Sequence, residues 1–143
     1  MTESLPCVCT TLRKAARAVT RSYDDSLAQS GMTTTQFAVL RSLAREGDMV
    51  LSALADSLVM ERTSLYRTLA PIERQGWIAI APAEQGHAKL ASLTPAGRAA
   101  MDRAASAWER VQADMVGVLG ASGWAALEQQ LRTLTSSAAK RVA

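Results

Sequence analysis

Residues 33–94 constrain the fold more than any other stretch of this chain. Three amphipathic helical patterns follow one another closely, and two short apolar runs then flank a polar tip. Thr33 with Gln36 three residues on is the pattern of a capping box. It opens a helix that buries Phe37, Leu40, Leu43 and Ala44 and stops at Gly47. Ser52 is placed to cap a short helix whose Leu54, Ala55 and Leu58 face inward. The next helix is expected over residues 61–75. On its wheel Leu65, Thr68, Leu69 and Ile72 share a narrow arc, with Thr63, Arg67, Ala70 and Arg74 opposite and Ser64 and Tyr66 flanking that outer face. Pro71 removes a backbone donor inside this helix and predicts a kink, and Gly76 supplies the stop. Strands are expected at 77–81 and 88–93, joined by a tip at 82–87 that contains Gly86.

Longer helices flank this segment. Over residues 8–30, Val8, Leu12, Ala15, Val19, Tyr23 and Leu27 recur at three- and four-residue steps as one stripe, ended by Gly31. Thr94-Pro95 is a strong helix start. It leads into a face of Met101, Ala104, Ala105, Trp108, Val111, Met115 and Val118. After Gly120, Ser122 is placed to cap a sixth helix carrying Trp124, Leu127, Leu131 and Leu134. These stripes lie outside the compact segment and need partners, and a second copy of the chain is the economical source. The expected fold is therefore mainly α with a small β-hairpin wing: a winged helix-turn-helix with a helical dimerisation region. Residues 1–143 form one domain, with 33–94 as the winged core and 5–31 and 95–143 as the dimerisation helices.

Composition closes off several classes. At 143 residues the chain can bury a real core, and 48% hydrophobic residues with only four prolines favour helix. An aromatic content of 4% leaves few platforms for stacking single-stranded bases. No apolar run approaches a membrane span and residues 1–12 lack a secretory layout, so no membrane association and a cytoplasmic location are expected. No Gly-rich phosphate loop, metal-ligand cluster or nucleophile–histidine spacing is present, so no catalysis, cofactor or metal is expected. The net charge is +3, yet residues 31–89 carry six positive and six negative side chains. An argument for nucleic acid must rest on where the cations sit, not on their total.

The run Thr33-Thr34-Thr35-Gln36-Phe37-Ala38-Val39-Leu40 resembles the MarR family of transcriptional regulators. So do Leu54-Ala55-Asp56-Ser57-Leu58, Glu61-Arg62-Thr63-Ser64-Leu65-Tyr66-Arg67-Thr68-Leu69, Ile72-Glu73-Arg74-Gln75-Gly76-Trp77-Ile78 and Leu93-Thr94-Pro95-Ala96-Gly97-Arg98. In this order and spacing they cover nearly the whole chain. The resemblance implies an obligate homodimer, built from the terminal helices, that binds double-stranded DNA at a pseudo-palindromic operator. The expected function is repression released by a small molecule or an oxidant; the alternative is a winged-helix protein-interaction module without specific DNA binding.

A helix in the major groove reads base edges with a few side chains while phosphate contacts fix its register. Arg67 is the best candidate for guanine, because its fork donates to both major-groove acceptors. Thr63, Ser64 and Tyr66 are candidates for bases or phosphates, and Arg62, in the first turn, for a phosphate. Arg74 is equally a surface ion-pair partner. The bland alternative for all of them is the wet side of a helix. MarR wings commonly carry an aspartate and an arginine near the tip, where this chain reads Ala83-Glu84-Gln85-Gly86-His87-Ala88-Lys89. His87 takes the arginine's place. Either wing binding is weaker here, or His87 and Lys89 share the role.

Cys7 and Cys9 lie where the first helix begins, and a helix N-terminus with an arginine nearby stabilises thiolate. The segment from Cys9 to Ala18 resembles the first helix of the organic-hydroperoxide-sensing branch of the family, in which a cysteine at the place of Cys9 is oxidised. The two tyrosines that support it there correspond to Thr34 and Phe37. Pairing across a dimer and ordinary reduced thiols are the other readings, since a bridge between Cys7 and Cys9 would close a strained ring. The family's remaining mechanism is an effector between dimer helices and winged domain. Arg17, Arg21 and Tyr23 are candidates to meet a small anionic aromatic molecule, with Trp108 lining the pocket; surface and core positions are the alternative.

Overall fold

A computed structural model describes residues 4–142. The chain divides into two compact units, residues 1–108 and 109–143. The first contains α1 (Val8–Leu27), a single 3-10 turn (Ala28–Ser30), α2 (Thr34–Glu46), β1 (Met49–Val50), α3 (Leu51–Ser57), α4 (Arg62–Arg74), β2 (Ile78–Pro82), β3 (Lys89–Leu93) and the start of α5 (Pro95–Val142).

The capping box at α2 is present on both sides. Thr33 Oγ1 accepts from Gln36 N at 3.2 Å, and Thr33 N donates to Gln36 Oε1 at 2.9 Å. Asp24 Oδ1 accepts from Thr34 N at 2.7 Å, which ties α1 to the same helix start. Thr33→Ala removes the hydroxyl half of the box and is expected to cost about 1 kcal/mol. Urea unfolding measures it, and an unchanged midpoint would count against the cap.

Three expectations are corrected. Ser52 does not cap α3: the cap position is Val50, and no side chain bonds there. The reason is a strand that the sequence pattern did not show. Met49 and Val50 pair with Ala91 and Leu90, so α3 starts directly off a sheet of order β1-β3-β2. Two residues are too few to carry a period. The hairpin itself is close to expectation, with Ile78 opposite Leu93 and Pro82 opposite Lys89, but Trp77 precedes β2 rather than opening it. Finally, a fifth and a sixth helix do meet at Gly120, which alone leaves helical geometry at φ 75° and ψ 161°, but helix resumes at once, so Ser122 lies within the sixth helix and does not cap it.

The core of the first unit gathers Leu27, Phe37, Leu40, Leu54, Leu65, Leu69, Ile72 and Ala91. Each helix between α2 and α4 thus turns its predicted arc inward, and Ala91 sits in the middle strand. The stripe on α1 behaves differently. Leu27 is buried and Tyr23 half-buried, but Val8, Leu12 and Val19 are exposed by 58%, 36% and 43%. In the second unit, Val118, Leu119, Trp124 and Leu134 are likewise exposed. Among the described residues no helix is long and apolar enough to cross a membrane.

Candidate nucleic-acid interface

α4 turns Leu65, Leu69 and Ile72 into the core, each 1% exposed or less, which fixes the rotation of the helix about its axis. Arg62, Thr63, Ser64, Tyr66 and Arg67 are therefore all exposed. Thr68, expected inside, is half-buried, and its Oγ1 donates to the Ser64 carbonyl at 2.9 Å. Among the described residues no carboxylate holds Arg62 or Arg67; the ion pair present is Arg132–Glu128. Both guanidinium groups are thus available to a partner.

The wing folds back on the hairpin through Ala83 N donating to the Ala88 carbonyl at 2.8 Å, with Gly86 at φ 78° making the turn. That closure delivers His87 and Lys89 toward the first turn of α4. Ser52, Arg62, Tyr66, His87 and Lys89 line one cleft of about 160 Å³ over an apolar floor that includes Leu51 and Leu65. Four predicted DNA-contact residues from two separate segments are thus brought together. Ser52, predicted only as a cap, joins them because α3 begins immediately after β1. Tyr66 and Lys89 also border a second cleft of about 370 Å³ between α4 and β2.

The residues proposed for an effector are placed differently. Trp108 is half-buried and stacks on Phe37, with ring centroids 5.5 Å apart and planes at 20°. The guanidinium of Arg41 lies 4.3 Å from the Trp108 ring centroid. Burial pushes the Tyr23 hydroxyl up, and the charge of Arg41 opposes that shift. Arg17 and Arg21 stand exposed on α1. Sequence reasoning missed Arg41; its one signal is the four-residue step from Phe37, which lets both side chains reach the same ring.

Cys7 and Cys9 are unbridged and exposed. Cys7 occupies the cap position of α1. Its thiol is held below the usual thiol range, first by the Thr10 hydroxyl and then by the backbone groups of Thr10 and Cys9. In a Cys9→Ser variant, alkylation of Cys7 is expected to reach half-maximal rate at a lower pH than a free cysteine derivative. Coincident pH–rate curves would refute this, and Thr10→Ala should move the curve up.

This arrangement of a helix pair, an exposed polar reading helix and a β-hairpin defines a winged-helix protein. The MarR family model matches residues 32–81. The solved structure of the M. tuberculosis transcriptional regulator MosR in complex with DNA is 33% identical, covers 94% of this chain and 97% of that one, and superposes with a TM-score of 0.86. The chain belongs to the MarR family, and it is a transcriptional regulator rather than an enzyme. Two more distant structures share the fold. A mutant of MarR from E. coli complexed with operator DNA is 21% identical, with 89% of this chain and 92% of that one covered at a TM-score of 0.79. BpsR of Bordetella bronchiseptica, solved in connection with regulation of its DNA binding by 6-hydroxynicotinic acid, is 20% identical, with 95% and 98% covered at a TM-score of 0.80. No curated protein matches the chain.

Proposed function

We propose that this chain is a homodimeric repressor that reads a pseudo-palindromic operator through α4 and its wing and is released by a small aromatic anion or an oxidant. The observation that carries the DNA reading is the outer face of α4, whose Arg62 and Arg67 are exposed and, among the described residues, free of carboxylates, with Arg62 beside the wing's His87 and Lys89. Roles follow from position. Arg67 reads a guanine, Thr63, Ser64 and Tyr66 contact bases or backbone, and Arg62 meets a phosphate. The DNA complex of MosR supports this reading.

The homodimer is supported by the apolar residues that one chain leaves exposed on α1 and beyond Gly120, because a second copy buries them symmetrically. A signal enters by favouring a dimer spacing that no longer matches successive major grooves. Regulation of BpsR by 6-hydroxynicotinic acid and the existence of an oxidised form of MarR support the two signal classes. For this chain Cys7 and Cys9 serve the oxidant route, and Arg17, Arg21, Tyr23 and Trp108 serve the aromatic-acid route.

The test is selection of preferred duplexes from random DNA, repeated after peroxide treatment and with added aromatic acids. A symmetric preferred site whose binding weakens steeply with salt is expected. Binding to protein alone, with no duplex enriched at low salt, would instead establish the interaction-module reading.

A further inference from the structure

The cleft between the wing and α4 has a composition that reading bases does not require. Its polar lining comes from three elements: Ser52 from α3, Arg62 and Tyr66 from α4, and His87 and Lys89 from the wing. Every one of these side chains can donate a hydrogen bond, and two are fixed cations. No carboxylate is among the lining residues. The nearest acidic residues along the chain are Glu61, the cap position of α4, Asp48, just before β1, and Glu84 at the wing tip; none of them lines the cleft, and Glu73 lines the adjoining cleft that Tyr66 and Lys89 also border. The volume of about 160 Å³ corresponds to roughly five waters at their share of liquid volume. That is room for one tetrahedral anion above the buried Leu51 and Leu65.

Location selects the anion. When α4 occupies a major groove and the wing enters the neighbouring minor groove, the wall between the two grooves is a sugar-phosphate strand. A cleft between α4 and wing straddles that wall. We propose, resting on the DNA reading above, that this cleft seats one backbone phosphate per half-site, gripped by Arg62 and Lys89 and by His87 in its protonated form. An anion seated between Arg62 and Lys89 favours the charged imidazole beside it, so phosphate binding takes up a proton. Affinity for DNA is then higher at low pH and falls as His87 loses its proton.

The chain contains a single histidine, which makes the test clean. The selected duplex is titrated with a Cys7→Ser/Cys9→Ser background chain between about pH 6 and pH 8, the range in which an imidazole changes charge. Binding is expected to tighten roughly fivefold to tenfold per half-site toward the lower pH, as one proton-linked contact allows. His87→Gln should bind more weakly at low pH and lose the dependence. His87→Arg should bind tightly throughout. Replacing one phosphate per half-site with neutral methylphosphonate should erase the dependence at a single position of the duplex.

Sequence-specific binding with the same pH profile in the background chain and His87→Gln, or with no sensitive methylphosphonate position, would overturn the seat and leave the DNA reading intact. Absence of any specific binding at low salt would overturn the DNA reading and the seat with it. The imidazole C–H signal distinguishes the source of the anion. Duplex should shift it toward the imidazolium position, whereas inorganic phosphate at matched ionic strength should not. A saturable shift with inorganic phosphate alone would overturn the assignment to the DNA backbone.

Discussion

Replacing Gly97 with alanine is expected to destabilise the winged unit by about 3 kcal/mol, the upper end of what an overpacked site costs. Gly97 lies in the first turn of α5, where helix propensity alone favours alanine by ~1 kcal/mol. The structure reverses that sign. A Cβ built at Gly97 would run into the Trp77 carbonyl oxygen and stand 2.8 Å from Leu93 Cδ1 and 2.9 Å from the Trp77 carbonyl carbon. The Leu93 methyl is the end of a side chain and can give, but the Trp77 backbone carbonyl cannot move cheaply. The Trp77 carbonyl accepts from Thr94 N at 3.1 Å, Thr94 Oγ1 donates to the Gly76 carbonyl at 2.6 Å, and Gly97 N donates to Thr94 Oγ1 at 3.0 Å. One threonine thus caps α5 and anchors it to the turn after α4. Relief would require withdrawing the first turn of α5 or breaking this cap. Gly117 in the same helix is the control: nothing lies within 4 Å of its Cβ position, so alanine there should be neutral or stabilising by up to ~1 kcal/mol. Paired urea curves decide the matter, and equal midpoints for the two variants would show the close approach to be unimportant.

Arg67→Ala is expected to weaken operator binding by about 1–3 kcal/mol, or roughly 5- to 150-fold, and to relax preference at one base step per half-site. Three facts converge on this residue. Leu65 and Leu69 bracket it in sequence and are each 1% exposed, so Arg67 points away from the core. It lies in the middle of α4 rather than at an end. Among the described residues no carboxylate engages it, so truncation breaks no internal ion pair and fold stability should be unchanged. The bidentate fork is what lysine lacks, so Arg67→Lys should recover affinity without recovering base preference. Uniform loss across all duplexes would place Arg67 on a phosphate instead.

Legibility varied with the range of the interaction. The capping box of Thr33 and Gln36 was readable because its partners are three residues apart and the motif requires both residue types. The inward arc of Leu65, Leu69 and Ile72 was readable because core contact imposes the helical period. β1 was not, since two residues cannot display alternation and Met49 and Val50 pair with a strand far along the chain. Val59 carried no signal either. It adopts φ 52° in the turn between α3 and α4, a region β-branched residues avoid, where a glycine would have announced the turn. Gly120 did mark the boundary between two helices, but that helix resumes at once and takes in Ser122 was not readable from a serine two residues on.

The site shows the same division. Each of Arg62, Thr63, Ser64, Tyr66 and Arg67 could be picked out, because being opposite a buried arc is a property of one helix. Trp108 was correctly a large residue on an inward stripe, but its stacking on Phe37 beneath Arg41 depends on α2 and α5 meeting.

By itself the sequence determined the order of the elements and the polar face of α4, because periodicity, caps and residue identity are local; that His87 stands where an arginine is common came from the resemblance to the MarR family. Only the tertiary structure decided that Ser52, Arg62, His87 and Lys89 share one cleft, and that Gly97 must stay small beneath the Trp77 carbonyl. Both are long-range contacts set by core packing and sheet register, and neither leaves a mark in the spacing of residues along the chain.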